Sequence, residues 1–137
     1  MTNGRVFAAI GAALALLAVG AGAFGAHGLE GRISGELLDV FDTAIQYQVY
    51  HAFGLLAVGV FSMSHATPLL RWAGIFFVAG TVVFSGSLYL LAFTGIGWLG
   101  AITPIGGLCF LIGWGAMFWS LVSQPKLIPV QSGPSKT

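Results

Sequence analysis

The sequence has 137 residues, of which 57% are hydrophobic and only 7% charged, and its formal net charge is +1 at pH 7. A soluble domain has about 25% charged residues, and a chain of this length has too little interior to bury so much apolar surface. The composition predicts an integral membrane protein and excludes a soluble enzyme, a nucleic-acid-binding protein and a disordered module.

Four apolar stretches are long enough to cross a bilayer as helices, which takes about 20 residues each. They are residues 6–24, 44–63, 69–93 and 98–122. The last two stretches are separated by Thr94–Gly97, whose two glycines favour a turn. We therefore predict a single all-α transmembrane domain over residues 1–137, built as a four-helix bundle and ending in a flexible polar tail at 123–137.

The first stretch has a competing interpretation as a secretory signal peptide. Arg5 precedes the apolar residues, and Ala21–Ala23 resembles a small-residue cleavage site. Cleavage would leave three spans. The stretch is long for a signal peptide, and its regularly spaced small residues favour close helix packing, so we expect it to remain as a span.

An amphipathic helical segment is predicted immediately before the second span. Three glycines in Gly25–Arg32 favour a surface turn, and Ser34 is a suitable N-cap for the helix that follows. That helix carries an apolar stripe (Leu37, Leu38, Phe41, Ile45) and an acidic face (Glu36, Asp39, Asp42). We interpret the acidic face as solvated, with a docking surface or a cation-attracting entrance as the alternatives.

The distribution of basic residues predicts the orientation. Arg5, Arg71, Lys126 and Lys136 fall on the side of the termini, and only Arg32 falls on the other side. We therefore predict a multi-pass protein of the cytoplasmic (inner) membrane with both termini in the cytoplasm.

Polar residues inside the spans gather in the outer half of the predicted bundle. Counted from the outer end of each span at about 1.5 Å per residue, they lie within about 5–12 Å of that boundary. Polar groups at such depth usually face the bundle interior or a cavity. The predicted cluster contains His27, Tyr47, Gln48, His51, Ser85, Ser87, Tyr89 and Thr103.

Several interpretations of this cluster remain open. Its side chains form an interhelical network, with His51 bonded to Tyr89 or Ser85, or they hydrogen-bond a quinone or a lipid headgroup. Alternatively, His27 and His51 are axial ligands of a haem, or ligands of a copper or zinc ion. We expect no cofactor, because two histidines so far apart in sequence form no recognised ligand motif.

Several blocks of this sequence resemble a known family of small membrane proteins. They are Gly22–Leu29, Phe41–Ala52, Phe84–Tyr89, Thr103–Gly107 and Gly113–Trp114. Together they are similar to the bacterial YgdD and YwdK proteins and the animal transmembrane protein 256, a family described as domain of unknown function number 423. The resemblance covers about residues 5–122. It implies an inner-membrane protein with several spans, which supports the predicted topology and adds no mechanism.

The sequence contains no nucleophile–base pair, phosphate-binding loop or paired carboxylates within a span. We therefore expect a non-enzymatic accessory, interaction or lipid-associated protein of the cytoplasmic membrane. The expected partners are membrane lipids, together with a larger membrane complex or a second copy of the chain, and not nucleic acid. The alternative is a haem-, metal- or quinone-binding protein that uses the polar cluster.

Overall fold

The computed structural model describes residues 3–123, all within or between four long helices. They are α1 (Asn3–Phe24), α2 (Gly35–Ser64), α3 (Pro68–Thr94) and α4 (Thr103–Val122). With the short helical turns at their ends, all four are long and apolar enough to cross a membrane. The predicted all-α four-helix transmembrane fold is confirmed. The predicted polar tail from residue 124 onward lies outside the described residues.

Local sequence signals explain where the helices begin and end. Ser34 caps α2 by accepting from the Leu37 amide at 3.3 Å, as predicted. Thr67 caps α3 in the same way, and Pro68 occupies the first turn, where its missing N–H costs nothing. Helix α3 ends at Gly95, whose positive φ of 68° is natural only for glycine.

The end of α1 differs from the predicted surface turn. The chain stays helical through Gly25–Leu29, which forms a π-helical turn continuous with α1. This turn is held against α2, because the Cβ position of Gly25 lies 2.9 Å from the Phe41 ring and Leu29 is buried. The reversal of the chain is confined to residues 30–34, where Gly31 has a positive φ.

Helix α2 runs without a break for 30 residues, about 45 Å, which exceeds the thickness of a hydrocarbon core of about 30 Å. Its first turns form the predicted amphipathic segment. Phe41 is buried against Tyr89 and Phe93 of α3, whereas Asp39 and Asp42 are exposed. The acidic face therefore points away from the bundle.

Each helix packs most extensively against its neighbour in sequence, with α2 and α3 at the centre. Two close approaches depend on glycine. A Cβ on Gly11 of α1 would lie 2.7 Å from the carbonyl oxygen of Ala52 in α2, and a Cβ on Gly106 of α4 would lie 2.5 Å from the amide nitrogen of Phe84 in α3. Small residues let membrane helices gain van der Waals contact in this way.

Phenylalanine rings fill the space that glycines leave between the helices. Phe77 of α3 is fully buried beside Gly54 of α2 and Gly113 of α4. By contrast, α1 exposes apolar side chains on its outer face, including Leu16 (74% exposed) and Val19 (73%). In a bilayer this face contacts lipid.

We predict that Gly11→Ala destabilises the bundle. The added methyl group meets a backbone carbonyl that cannot rotate away, and overpacking of this kind costs about 1–3 kcal/mol. Equilibrium unfolding in mixed micelles of mild detergent and SDS measures the loss. The matched control is Gly20→Ala on the same helix, where no atom lies within 4 Å of the new methyl group. Equal stability of the two variants would contradict the packing described above.

Candidate functional site

Gln48 is the centre of a network that joins three helices. The side chain is 5% exposed. Its amide nitrogen donates to the carbonyl oxygen of Leu14 in α1 at 2.8 Å, and its amide oxygen accepts from the Tyr89 hydroxyl of α3 at 2.8 Å. Gln48 therefore ties α2 to both neighbours with hydrogen bonds that are complete within the protein.

Serines supply two further links at the same end of the bundle. Ser85 of α3 donates to the carbonyl oxygen of Ala44 in α2 at 2.8 Å. The Ser87 hydroxyl lies 3.0 Å from the Phe84 carbonyl oxygen and 3.2 Å from the Thr103 hydroxyl at the start of α4. These contacts bring five of the predicted polar residues into the helix interfaces, namely Gln48, Ser85, Ser87, Tyr89 and Thr103.

His51 has hydrogen bonds at both ring nitrogens. The Trp114 indole, which can only donate, lies 3.2 Å from Nε2. Nε2 therefore accepts, and the proton is on Nδ1, which donates to the Tyr47 carbonyl oxygen at 2.7 Å. The imidazole also stacks on Phe110 with the ring planes 6° apart. In this arrangement neither nitrogen has a lone pair free to bind a metal or accept a substrate proton.

The prediction that His51 bonds to Tyr89 or Ser85 was wrong. Instead of Tyr89 or Ser85, which bond elsewhere in α2, His51 faces α4 and meets Trp114. Sequence reasoning missed Trp114, Phe84 and Phe110 as members of the site. A signal was present, because Trp114 lies in the middle of its span, where an indole N–H needs an acceptor within the protein.

His27 does not join the cluster. It is exposed in the π-helical turn after α1, close to the level of Phe41 on α2. His51 lies ten residues further along α2, which is about 15 Å of helix. The two histidines are therefore too far apart to ligate one ion or one haem iron. Within residues 3–123 there is also no group of three or more His, Cys, Asp or Glu side chains that could hold a metal.

A lateral groove opens beside His51, between α2 and α4, with a volume of about 760 Å³. Its wall is largely aromatic: Tyr47, Tyr50, Phe84, Phe110 and Trp114 line it together with the His51 ring. Tyr47 stacks on Phe84 with the ring centroids 4.3 Å apart. The groove therefore offers flat apolar surfaces, and two of its tyrosines, Tyr47 (37%) and Tyr50 (55%), are half-exposed.

The opposite end of the bundle also contains a partly buried polar contact, which lies outside the predicted cluster. The hydroxyls of Thr67 and Ser120 lie 2.7 Å apart and link α3 to α4. Among the described residues, every buried side-chain nitrogen and oxygen has a hydrogen-bond partner. The polar groups of the bundle thus bond to one another.

Comparison with known proteins identifies relatives but no activity. Residues 21–107 match the family described as Protein of unknown function (DUF423). The chain is 51% identical to the UPF0382 membrane protein YwdK of Bacillus subtilis over 111 residues, which cover 80% of this chain and 90% of the relative. It is 50% identical to a UPF0382 membrane protein of Staphylococcus haemolyticus over 110 residues, 80% of this chain and 89% of the relative. No solved structure matches the chain.

We predict that Tyr89→Phe destabilises the bundle, because it leaves the buried amide oxygen of Gln48 without its donor. Hydrogen bonds between membrane helices average about 0.6 kcal/mol and reach about 1.7 kcal/mol, and the buried position of Gln48 favours the upper part of that range. Equilibrium unfolding in micelles measures the difference. Tyr50→Phe is the control, because Tyr50 is 55% exposed. If both variants lost equal stability, the result would contradict a stabilising contribution of the Gln48–Tyr89 hydrogen bond.

Proposed function

The chain belongs to the DUF423 (UPF0382) family of membrane proteins, and from this premise we propose that it is a non-enzymatic, lipid-associated protein of the cytoplasmic membrane. We propose that it holds one lipid chain in the groove between α2 and α4. The observation that carries this proposal is the hydrogen bond from Trp114 to His51. Because of this bond, neither ring nitrogen of His51 is free, and the imidazole ring forms part of the largely apolar wall of the groove. This arrangement supports a packing role over catalysis.

The shape of the groove favours a long, flexible, apolar occupant. Along α4 the groove extends from Pro104 to Trp114, which is about 15 Å at 1.5 Å per residue. Tyr47 stacks on Phe84, which packs at Gly106 near the Pro104 end, and the Tyr50 ring lies 5.9 Å from the Tyr47 ring. Their hydroxyls can donate to the ester carbonyls of a lipid. We therefore propose the acyl chain of an outer-leaflet phospholipid as the occupant. An isoprenoid quinone, or an apolar helix of a larger complex or a second copy, is the competing occupant.

The orientation proposed for the protein rests on the charged residues at the two ends of the helix bundle. Arg5 and Arg71 line the same cavity at one end of the bundle, whereas Arg32 lies beyond α1, at the opposite end. All four acidic residues of the sequence lie between Glu30 and Asp42, also at that opposite end. The positive-inside rule then supports cytoplasmic termini and an outward-facing acidic segment.

The retention of α1 as a span is part of the same proposal. Its Leu14 carbonyl accepts a hydrogen bond from Gln48, and its Gly11 packs on the α2 backbone. Removal of residues 1–23 would leave the Gln48 amide nitrogen without its acceptor inside the membrane, where an unsatisfied polar group is costly.

We predict that narrowing the groove releases a bound lipid. Gly107 lines the groove, and its Cβ position has room, with Phe84 atoms 3.9 Å away at the nearest. In Gly107→Leu the new side chain occupies the space of the acyl chain, and we expect about tenfold less bound phospholipid, the effect of about 1.4 kcal/mol of lost contact. Native mass spectrometry of protein extracted in mild detergent measures the occupancy.

The matched control is Gly115→Leu on the same helix, which has no atom within 4 Å and does not line the groove. A photoactivatable acyl chain retained by the extracted protein should label Leu108 and Leu111 more than Leu16 on the open face of α1. Equal lipid loss in both variants, or equal labelling of both faces, would contradict the acyl-chain proposal. A quinone mass, or a partner protein in place of lipid, would select a competing occupant.

We predict that a cysteine introduced at Ser34 reacts with a membrane-impermeant maleimide in intact cells, whereas one at Ala66 does not. Both positions lie between helices and are exposed. A Cys109→Ala background removes the single native cysteine. Permeabilised cells, in which both positions should react, provide the control. The reverse pattern in intact cells would invert the proposed orientation.

A further inference from the structure

A second cavity lies at the end of the bundle opposite the polar cluster. It has a volume of about 1170 Å³ and is formed by the first turn of α1, the connection between α2 and α3, and the first turns of α3. Two arginines from different helices, Arg5 of α1 and Arg71 of α3, line it. Ser62 and Ser64 at the end of α2 add hydroxyl groups.

The positive charge of this cavity has no acidic side chain nearby to neutralise it. Every Asp and Glu of the sequence lies at residues 30–42, and α1 and α2 carry that segment to the far end of the bundle. The chain after residue 123 contains Lys126 and Lys136 and no acidic side chain, so its charge does not complement the cavity either. The cavity therefore favours an anionic ligand from outside the chain.

The position of the cavity relative to the membrane narrows the chemistry of that ligand. Trp72 lies next to Arg71, is 54% exposed and lines the cavity with Met63 and Ile75. Exposed tryptophans near the ends of spans mark the level of the lipid headgroups. A ligand here meets arginines and hydroxyls as well as apolar side chains, which matches a phospholipid with its phosphate and the first part of its chains.

We propose that this cavity, the Arg5–Arg71 pocket, binds the phosphodiester headgroup of an anionic phospholipid from the leaflet at that end of the bundle. Guanidinium groups suit phosphate oxygens because their N–H groups form a planar fork, and basic pockets between membrane helices bind anionic headgroups in this way. The pocket lies at the other end of the molecule from the α2–α4 groove, so the inference does not depend on lipid binding there.

Lipid titration of the delipidated protein tests the proposal. Native mass spectrometry should show a preference for phosphatidylglycerol over phosphatidylcholine of the same chain length. A basic residue near the lipid surface contributes about fivefold in affinity. We therefore expect each of Arg5→Gln and Arg71→Gln to reduce the preference about fivefold, and the double variant to reduce it about 25-fold.

The control is Arg32→Gln, which removes the same charge at the opposite end and should leave the preference intact. If the double variant does not fold, the two single variants carry the test. Gly107→Leu should also retain the preference, which separates this pocket from the groove. The proposal is overturned if Arg32→Gln has the same effect as the pocket variants, or if the pocket variants keep the preference. Displacement of phosphatidylglycerol by millimolar inorganic phosphate would also overturn it, since that result marks a site for small anions.

Discussion

The dominant constraint on this protein is that polar groups inside a hydrocarbon layer must be bonded within the protein itself. Gln48 meets this constraint by bonding to two helices at once, and His51 by bonding to its own helix and to α4. The same hydrogen bonds that satisfy these side chains fix which faces of α1, α3 and α4 turn toward α2. Helices held only by apolar contact would lack this selectivity, because lipid tails are as apolar as a leucine face.

These hydrogen bonds require the close approach that glycine permits. Gly11 lies three residues before Leu14, about one turn of α1, and it brings the α1 backbone against Ala52. Gln48 lies one turn of α2 away from Ala52, so the glycine contact and the hydrogen bond to Leu14 belong to the same crossing. A wider separation of α1 and α2 would move the Leu14 carbonyl out of reach of the Gln48 amide. At the crossing of α1 and α2, the close packing at Gly11 and the hydrogen bond of Gln48 therefore depend on each other.

Much of the fold could be predicted from the sequence, because the length of apolar stretches and the position of Ser34 and Gly95 depend on local chemistry. Depth along each span also identified most of the polar cluster, since rise per residue is constant in a helix. The partner of His51 could not be predicted in the same way. Helix rotation decides whether His51 faces Tyr89 or Trp114, and rotation depends on the packing of Phe77 and Phe110 against distant glycines. The π-helical turn at Gly25–Leu29 likewise depends on contact with Phe41.

The two cavities lie toward opposite surfaces of the membrane and use different chemistry. The α2–α4 groove is aromatic, and its histidine is hydrogen-bonded at both nitrogens, so the occupant proposed for it would be selected by shape and apolar contact. The Arg5–Arg71 pocket is formed by α1, α3 and the end of α2, and the headgroup proposed for it would be selected by charge. Because α2 and α3 contribute to both, ligands at the two cavities contact the same central helix pair. If the proposed lipids bound in both cavities, they would contact the α2–α3 pair from the two leaflets. Such a role needs no reactive side chain, which fits a bundle whose buried polar groups bond within the protein.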